Sequence, residues 1–386
     1  MSADLLAHAP LDIALLAPLV APIRQPFLGG AQALLRDLAV VLAARGHSVT
    51  LYAAQGSDPD ALPGVALAEV AVDADRVRPT DFSALRERPR ANRVDPAVEQ
   101  AFARAFTLIA THTPQHEILH AHTYDAPAFR QAQALSMPVA HTLHMTALDP
   151  TISAVLAALA PARQPRAPRQ PWLVTVSHAC AATYADVCHI DDVIYNGLNI
   201  DAIPFAPLTA PEAGALFAGR ITPEKGVVDA IEIALRVGVR LQLIGDIYDH
   251  PYFSSRVAPL LDAHPGAISY LGPQTRERVW QLMAESAVVL VPSLWDEPFG
   301  LVACEALATG TPVVGYDSGG LREVVAQGET GILVPRGQTN EAAAALRQAS
   351  QLSRSACRQR VENLFSLQTT VERYEAFYRR MRQAPA

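Results

Sequence analysis

Short apolar runs alternate with segments of helical periodicity along the whole chain of 386 residues. This alternation is typical of a parallel β-sheet covered by helices, and it predicts an α/β fold. In the first half we predict strands over residues 12–17, 48–53, 118–121, 138–143 and 172–177, with a helix over 31–45. In the second half we predict strands over residues 215–218, 240–244, 268–271, 288–291, 312–315 and 331–334.

The two halves are similar, and the chain is long enough for two domains of ordinary size. The join is predicted near Asn196-Gly197, because a proline-rich segment with Pro204, Pro207 and Pro211 follows it. The expected domains are residues 1–196 and 197–365. A last helix over 370–381 has apolar or aromatic side chains at helical spacing, so residues 366–386 are expected to pack back on the first domain.

A net charge of −7 argues against general nucleic-acid binding and favours small-molecule partners. The four cysteines have no metal-binding or CxxC spacing, so we expect buried free thiols and a cytoplasmic protein. No signal peptide or membrane span is predicted. Arginine-rich stretches over 76–93 and 163–169 are either solvated loops or contacts for an anionic acceptor or a membrane surface.

Lysine occurs only at Lys225, and every other lysine or arginine position in the chain is an arginine. Lysine is a compact point charge with three donors, whereas arginine is a broad planar fork, so a tight phosphate pocket favours lysine. Chance survival of a surface lysine is the alternative. Lys225 follows Gly219-Arg220 and precedes Gly226 and a helical run, which places it at a strand–turn–helix junction.

Two carboxylates, Glu297 and Glu305, lie eight residues apart. Glu297 is at the end of a predicted strand, and Glu305 is nearly two turns into a helix that we expect to begin near Phe299. The free N–H groups at the Gly300 turn could hold an anion or sugar hydroxyls. As alternatives, Glu297 could cap the first turn and Glu305 could be a surface residue of an amphipathic helix.

With these motifs the chain resembles the family 4 retaining glycosyltransferases. The Glu297 and Glu305 pair matches the family's E-x7-E pattern, and further signatures follow the family's order. Resemblance is dense over residues 215–334 and thinner before them. The further signatures are Gly29-Gly30, Asn196-Gly197, Gly219-Arg220, Lys225-Gly226, Gly272, Gly310-Thr311-Pro312-Val313-Val314, Gly319-Gly320 and Glu323.

The resemblance implies a GT-B fold, with two Rossmann-like parallel-sheet domains facing a cleft. It implies that the first domain binds an acceptor and the second a nucleoside-diphosphate sugar. Arg220 and Lys225 would hold the diphosphate, Glu305 the ribose and Glu297 the donor sugar. The donor site would also include Gly29, Gly30, Gly219, Gly272, Phe299, Gly300 and Leu301.

Two histidines follow predicted strands of the first domain, where ligands of parallel α/β sheets bind. His122 and His144 are therefore placed on the acceptor side, and His144 matches the family histidine that faces the reacting sugar. The other strand and loop histidines, His120, His141, His178 and His189, are expected to be satisfied structural residues.

We predict neither a cofactor nor a metal, because Arg220 and Lys225 can neutralise the diphosphate. Asp246, Asp249 and His250 are the nearest rival ligand set, but loop or capping roles are favoured for them. The predicted activity is therefore transfer of a hexose from a UDP- or GDP-linked donor to a small-molecule, lipid or glycan acceptor. A sugar-nucleotide epimerase, a phosphorolytic enzyme and a non-catalytic nucleotide-sugar-binding protein are the alternatives.

Overall fold

The computed structural model describes residues 9–25, 27, 30–77, 95–162, 167, 169–210 and 213–384. Gly29, Pro211 and most of both arginine-rich stretches lie outside these residues. The chain forms two compact units. One comprises Met1–Gly197 together with Leu367–Ala386, and the other comprises Leu198–Ser366.

Within the described residues, the first unit contains a parallel sheet of seven strands in the order β3-β2-β1-β4-β5-β6-β7. The order reverses between β1 and β4, as it does in doubly wound folds. The strands are β1 (Asp12–Leu16), β2 (Ser48–Ala54), β3 (Ala66–Val70), β4 (Ile118–Ala121), β5 (Val139–Leu143), β6 (Trp172–Thr175) and β7 (Asp192–Val193). The helices are α1 (Gly30–Ala44), α2 (Pro96–Thr111), α3 (Ala126–Ala132), α4 (Pro150–Leu159) and α5 (His178–Thr183).

Strand β1 is apolar at successive positions because helices cover both faces of its sheet. Ile13 and Leu15 belong to a cluster with Leu38 of α1, whereas Ala14 and Leu16 belong to a separate cluster with Phe102 of α2. The alternation follows from the two-residue period of a strand. The unit therefore has a core on each side of its sheet.

The final helix, α14 (Leu367–Gln383), packs in the first of these cores. Tyr374, Phe377 and Tyr378 are buried there. Its buried Glu375 accepts hydrogen bonds from Arg45 Nε at 2.7 Å and Arg45 Nη2 at 2.9 Å. The C-terminal segment is thus part of the first unit, although more than 160 residues of the second unit separate it in sequence.

The described part of the second unit contains a six-stranded parallel sheet in the order β10-β9-β8-β11-β12-β13. Its strands are β8 (Ala215–Ala218), β9 (Leu241–Ile244), β10 (Ile268–Tyr270), β11 (Val288–Val291), β12 (Val313–Tyr316) and β13 (Gly331–Val334). Its helices are α6 (Val227–Val237), α7 (His250–Tyr252), α8 (Ala258–Ala263), α9 (Arg276–Glu285), α10 (Leu301–Ala308), α11 (Leu321–Val324), α12 (Thr339–Ala349) and α13 (Arg354–Leu364). A π-helical turn, Phe253–Val257, joins α7 to α8.

Two strands were absent from the sequence prediction, namely β3 and β7. Strand β3 lies at the sheet edge and is mostly exposed or half-buried, so it lacks the apolar run of a central strand. Strand β7 has only two residues. The prediction of two parallel-sheet α/β domains is confirmed.

Cys180, Cys188, Cys304 and Cys357 are free and buried, as the sequence predicted. Among the described helices, none has both the length and the apolar character needed to cross a bilayer.

Candidate active site

Ligands of parallel α/β sheets bind beyond the carboxyl ends of the strands, at the point where the strand order reverses. In the second unit this point lies between β8 and β11. The segment after β8 carries Gly219, Arg220 and Lys225, and the segment after β11 carries Glu297. The topology therefore explains how residues distant in sequence reach one site.

Lys225 ends a 3-10 turn, Pro223–Lys225, immediately before Gly226 and α6. Gly226 has φ of 71°, and a Cβ there would lie 1.9 Å from the carbonyl oxygen of Pro292. Only glycine permits this approach between the turn and the segment after β11. A hydrogen bond of 2.8 Å from the Leu294 N–H to the Glu224 carbonyl also joins the two segments.

Glu297 accepts three hydrogen bonds at the same oxygen, Oε1. The donors are Lys225 Nζ at 2.7 Å, Ser293 Oγ at 2.6 Å and Trp295 Nε1 at 2.9 Å. The side chains of Lys225 and Glu297 are only 19% and 10% exposed, so the ion pair is largely shielded from water. Lys225 Nζ also lies 4.8 Å from the centre of the Trp295 ring, within cation–π range.

Burial alone would raise the pKa of Glu297, but the charge of Lys225 and the hydrogen bonds from Lys225, Ser293 and Trp295 outweigh it. The pKa of Glu297 is therefore lower than its ordinary value, and the carboxylate is ionised at neutral pH. Glu297 precedes α10 and does not cap its first turn. The residue is held as an oriented anion.

Glu305 lies on α10 and is held by a second pair of donors. Its Oε1 accepts from Trp280 Nε1 at 3.1 Å and from Arg276 Nε at 3.3 Å. The side chain is 15% exposed, which does not fit the alternative of a surface residue. The Arg276 guanidinium also lies 4.6 Å from the centre of the Trp280 ring. In the described part of the chain, Oε2 of neither Glu297 nor Glu305 accepts a hydrogen bond.

Arg220 lies near an acidic and an aromatic neighbour. Its Nη2 is 3.6 Å from Glu224 Oε1, and its guanidinium carbon is 5.4 Å from the centre of the Tyr248 ring. The Arg220 side chain is 30% exposed, so it remains accessible to an anion.

Helix α10 begins two residues later than the sequence predicted. Helix α10 starts at Leu301, with Gly300 at its N-cap in the left-handed region at φ of 104°. Phe299 is buried and packs edge-on against Phe365 at 5.5 Å, so its side chain belongs to the core. Gly272 follows β10, and its carbonyl accepts a hydrogen bond of 3.1 Å from the Gly245 N–H.

In the first unit, His122 and His144 follow strands β4 and β5 and contact one another. His122 Nδ1 and His144 Nε2 are 3.0 Å apart. His122 Nε2 is 3.2 Å from His120 Nδ1, which is 2.7 Å from the Tyr378 hydroxyl of α14. His122 and His144 line a cavity of about 20 Å³, which Tyr374 also lines.

Burial keeps this histidine cluster neutral. It lowers the pKa of His144 to about 4 and lowers the pKa of His120 and His122 well below the ordinary value. His141 is also buried, with a pKa lowered to about 3, but both ring nitrogens lack a hydrogen-bond partner among the described residues. His141 thus departs from the expectation of a satisfied histidine.

His178 packs edge-on against Tyr195 at 6.1 Å, and His189 Nε2 lies 3.9 Å from Asp191. Asp249 accepts a 2.8 Å hydrogen bond from the Tyr252 N–H and caps α7, in agreement with the capping role that the sequence favoured. Within the described ranges, no group of three or more His, Cys, Asp or Glu side chains could hold a metal ion. Gly30 is the exposed first residue of α1.

The donors that orient the two carboxylates were not among the predicted site residues. Ser293 and Trp295 lie four and two residues before Glu297, so their proximity could have been inferred from the sequence. Arg276 and Trp280 are on α9, and no local pattern connects them with Glu305. Their role depends on the packing of α9 against α10.

Known proteins resemble both units. The model of Glycosyltransferase Family 4 matches residues 28–202, and that of Glycosyl transferases group 1 matches residues 203–363. Glycogen synthase of Mycobacterium tuberculosis (strain CDC 1551 / Oshkosh) is 30% identical, with 89% of this chain and 89% of that protein covered. Phosphatidyl-myo-inositol mannosyltransferase of Mycobacterium leprae (strain TN) is also 30% identical, with 82% and 83% covered.

A solved structure shares the fold. Anabaena Alr3699/HepE in complex with UDP-glucose superposes with a TM-score of 0.66 at 18% identity, over 95% of this chain and 98% of that one. This likeness identifies the fold as GT-B. Together with the two family matches and the relatives of nearly full length, it shows that the chain belongs to the family 4 glycosyltransferases.

Proposed function

We propose that the enzyme is a retaining hexosyltransferase that uses a UDP- or GDP-linked sugar. The observation that carries this proposal is the convergence of Lys225, Ser293 and Trp295 on one oxygen of Glu297. A buried carboxylate with one oxygen held by three donors keeps its other oxygen available for a ligand hydroxyl. Such an arrangement suits recognition of a sugar.

The two carboxylates share this design, which supports separate roles. Glu297 Oε2 would accept a hydrogen bond from a hydroxyl of the donor sugar, and Glu305 Oε2 would accept one from a ribose hydroxyl. In each case the protein donors bind Oε1 and fix the orientation of the carboxylate. A carboxylate that is already oriented loses less side-chain conformational entropy when the ligand binds.

Arg220 and Lys225 would stabilise the departing diphosphate. Lys225 Nζ has three N–H donors and gives one to Glu297, which leaves two for phosphate oxygens. Negative charge grows on the diphosphate as the glycosidic bond breaks, so fixed cations stabilise the transition state more than the ground state. Gly29, Gly30 and Gly219 would allow backbone N–H groups to approach the same phosphates.

His144 would accept or donate a hydrogen bond at the reacting sugar, and His122 would support it from the acceptor side. The first unit would therefore bind the acceptor, and the second unit the donor. The acceptor is a small molecule, lipid or glycan. We also propose the cytoplasm, where nucleotide sugars are available and free thiols persist.

The donor can be tested directly. HepE was solved with UDP-glucose, whereas one relative is named as a mannosyltransferase, so glucose- and mannose-type donors both require testing. Thermal stabilisation should be measured with UDP, GDP and their hexose conjugates. A ligand at 100 times its Kd adds about 2.7 kcal/mol to the free energy of unfolding.

Transfer must be distinguished from the other activities of this fold. The stabilising donor should be incubated with candidate acceptors, and products should be followed by NMR. An α-linked product from an α-linked donor supports retaining transfer. Release of free nucleotide without an acceptor product would instead favour the epimerase, and binding without any turnover would favour the non-catalytic alternative.

A further inference from the structure

A continuous set of hydrogen bonds joins the C-terminal helix to His144 inside the first unit. The Tyr378 hydroxyl is 2.7 Å from His120 Nδ1, which is 3.2 Å from His122 Nε2. His122 Nδ1 is 3.0 Å from His144 Nε2. On its other side, His120 Nε2 is 2.7 Å from Thr142 Oγ1, which is 3.0 Å from the Tyr374 hydroxyl.

The proton positions in this set depend on one another. Burial lowers the pKa of all three histidines, so each ring is neutral and has one donor and one acceptor nitrogen. Two facing nitrogens repel if both carry protons or if both carry lone pairs. Only two arrangements therefore avoid repulsion, and they place the proton of His144 on opposite nitrogens.

In the first arrangement, the Tyr378 hydroxyl donates to His120 Nδ1 and His120 Nε2–H donates to Thr142. The Thr142 hydroxyl then donates to Tyr374, whose own hydroxyl proton needs another acceptor. In the second arrangement, donor and acceptor are exchanged in each of these hydrogen bonds. Tyr374 then donates to Thr142 and Thr142 to His120, and the hydroxyl proton of Tyr378 is the one left over.

The surroundings of the two tyrosines favour the first arrangement. Tyr374 lines the cavity of about 20 Å³, which has room for a water molecule that could accept its proton. Tyr378 is fully buried, does not line this cavity and has His120 as its one hydrogen-bond partner among the described residues. A buried hydroxyl without an acceptor is costly, so Tyr378 must donate to His120 Nδ1.

The remaining protons follow from this donation. The single lone pair of His120 Nδ1 also lies 3.2 Å from His122 Nε2, where a second lone pair would repel it. His122 Nε2 therefore carries a proton, which shares this acceptor with the Tyr378 hydroxyl, and His122 Nδ1 carries a lone pair. His144 Nε2 must then donate to His122. We infer that Tyr378 is a positioning residue that fixes the tautomer of His144, with the proton on Nε2 and a lone pair on Nδ1.

This inference gives the His144 side chain a defined chemical role, which rests on the proposed function. A lone pair on Nδ1 accepts a hydrogen bond and cannot donate one. The substrate group opposite it must therefore be a donor, such as a sugar hydroxyl. An acceptor group at the same position, such as a carbonyl or phosphate oxygen, would be rejected.

The test is long-range ¹H–¹⁵N NMR of the full-length protein labelled at histidine, recorded without substrate near pH 7.5. His144→Gln identifies the His144 signals by their disappearance. In the wild type, Nδ1 should have the chemical shift of a bare nitrogen and Nε2 that of a protonated one. In Tyr378→Phe the second arrangement no longer leaves a buried hydroxyl without an acceptor, so the preference for the first is lost and part of the His144 population should carry its proton on Nδ1.

Phe377→Leu is the matched control, because Phe377 is buried in the same helix and packs against Trp172 without contacting a histidine. It should perturb packing while the His144 tautomer stays unchanged. A proton on Nδ1 in the wild type would overturn the inference, and this spectrum decides even if Tyr378→Phe does not fold. An unchanged tautomer in folded Tyr378→Phe would also overturn it. Because no substrate is present, failure of the transfer assay would count only against the proposed function.

Discussion

The two units prepare their candidate site residues by opposite electrostatic means. In the second unit, ion pairs orient carboxylates, as Lys225 does for Glu297 and Arg276 for Glu305. In the first unit, His144 contacts the neutral His122, which is connected through His120 to the Tyr378 hydroxyl. The charged arrangement suits a diphosphate whose charge grows during the reaction. The neutral one suits a hydroxyl, which needs direction but little compensation of charge.

Among the variants of both units, loss of the Lys225 side chain should lower the transfer rate most. We expect Lys225→Ala to lower the transfer rate by about 100- to 1,000-fold, as loss of a preorganised electrostatic donor costs about 2.7 to 4 kcal/mol in the transition state. Steady-state kinetics with saturating donor measures this loss. The variant also leaves Glu297 without its ion partner, so stability must be measured in parallel.

The double variant Lys225→Met with Glu297→Gln separates the two effects. It should recover folding stability, because no unpaired charge is buried, while transfer stays low. Lys225→Arg tests shape at constant charge, and we expect a large loss beside the Trp295 ring. Normal transfer in Lys225→Arg would mean that the single lysine has no special role.

A smaller effect is expected at Glu305. Glu305→Ala should weaken nucleoside-diphosphate binding by roughly 10- to 150-fold, as hydrogen bonds to charged groups contribute about 1.5 to 3 kcal/mol. Because a ribose contact is present in ground and transition states alike, the KM for donor should rise more than kcat falls. Titration calorimetry gives the binding change directly.

Glu297→Ala is the comparison for this variant, since its proposed contact is with the sugar. Free nucleoside diphosphate should bind it nearly as well as it binds the wild type. Trp280→Phe, which removes one donor to Glu305, controls for altered orientation. If Glu297→Ala abolishes diphosphate binding and Glu305→Ala does not, the two roles are reversed.

Acidification should lower the folding stability of the first unit, which contains the neutral buried histidines, before that of the second unit. Buried His141 keeps a pKa of about 3 in the folded state, whereas a histidine in the unfolded chain takes up a proton below about pH 6.5. Through His141 alone the unfolded state binds one more proton between these values, so stability falls as pH falls, by up to about 1.4 kcal/mol per pH unit. The lowered pKa values of His120, His122 and His144 act in the same direction. Glu297 has a lowered pKa, so its contribution is lost only at more acidic pH, as the pH falls from the ordinary carboxyl pKa towards the lowered one.

His141→Leu should remove this one-proton dependence. Hydrogen exchange of the β5 amides at pH 5.5 and 7, corrected for intrinsic rates, reports the opening free energy of the first unit. Phe129→Leu is the control, because Phe129 packs 4.6 Å from the His141 ring and should lower stability equally at both pH values. An unchanged pH dependence in His141→Leu would mean that His141 is not the group responsible.

Chelation should have the smallest effect. Transfer should persist in excess EDTA, because Arg220 and Lys225 would supply the positive charge at the diphosphate. The assay needs a check by circular dichroism that the protein stays folded. Loss of transfer with recovery in Mg²⁺ or Mn²⁺ would contradict the metal-free proposal and direct attention to Asp246, Asp249 and His250.

The central strands of both sheets were predictable because burial on two faces leaves an uninterrupted apolar run. Edge strand β3 was not, since its mixed sequence, Ala66–Val70, depends on pairing with β2. The positions of Glu297 and Glu305 followed from their spacing. The groups that bind them did not, because Arg276 and Trp280 reach Glu305 through helix packing.

The histidine cluster was predictable only in part. Strand ends placed His122 and His144 together, because β4 and β5 are neighbours and parallel strands end at the same edge. The contact of His120 with Tyr378 required knowledge of how α14 packs, across 258 residues of sequence. Periodicity predicted that this helix has an apolar face, but no sequence pattern identifies which polar group lies opposite each tyrosine.

The single lysine also makes the enzyme accessible to selective chemistry. Apart from the α-amino group, an amine-acylating reagent can modify only Lys225, and a lysine-specific protease can cut the chain only after it. The extent of acylation can therefore be read from a single peptide by mass spectrometry. Because the Lys225 side chain is 19% exposed, a bound diphosphate would shield it, and the protected fraction would report ligand occupancy without a known acceptor.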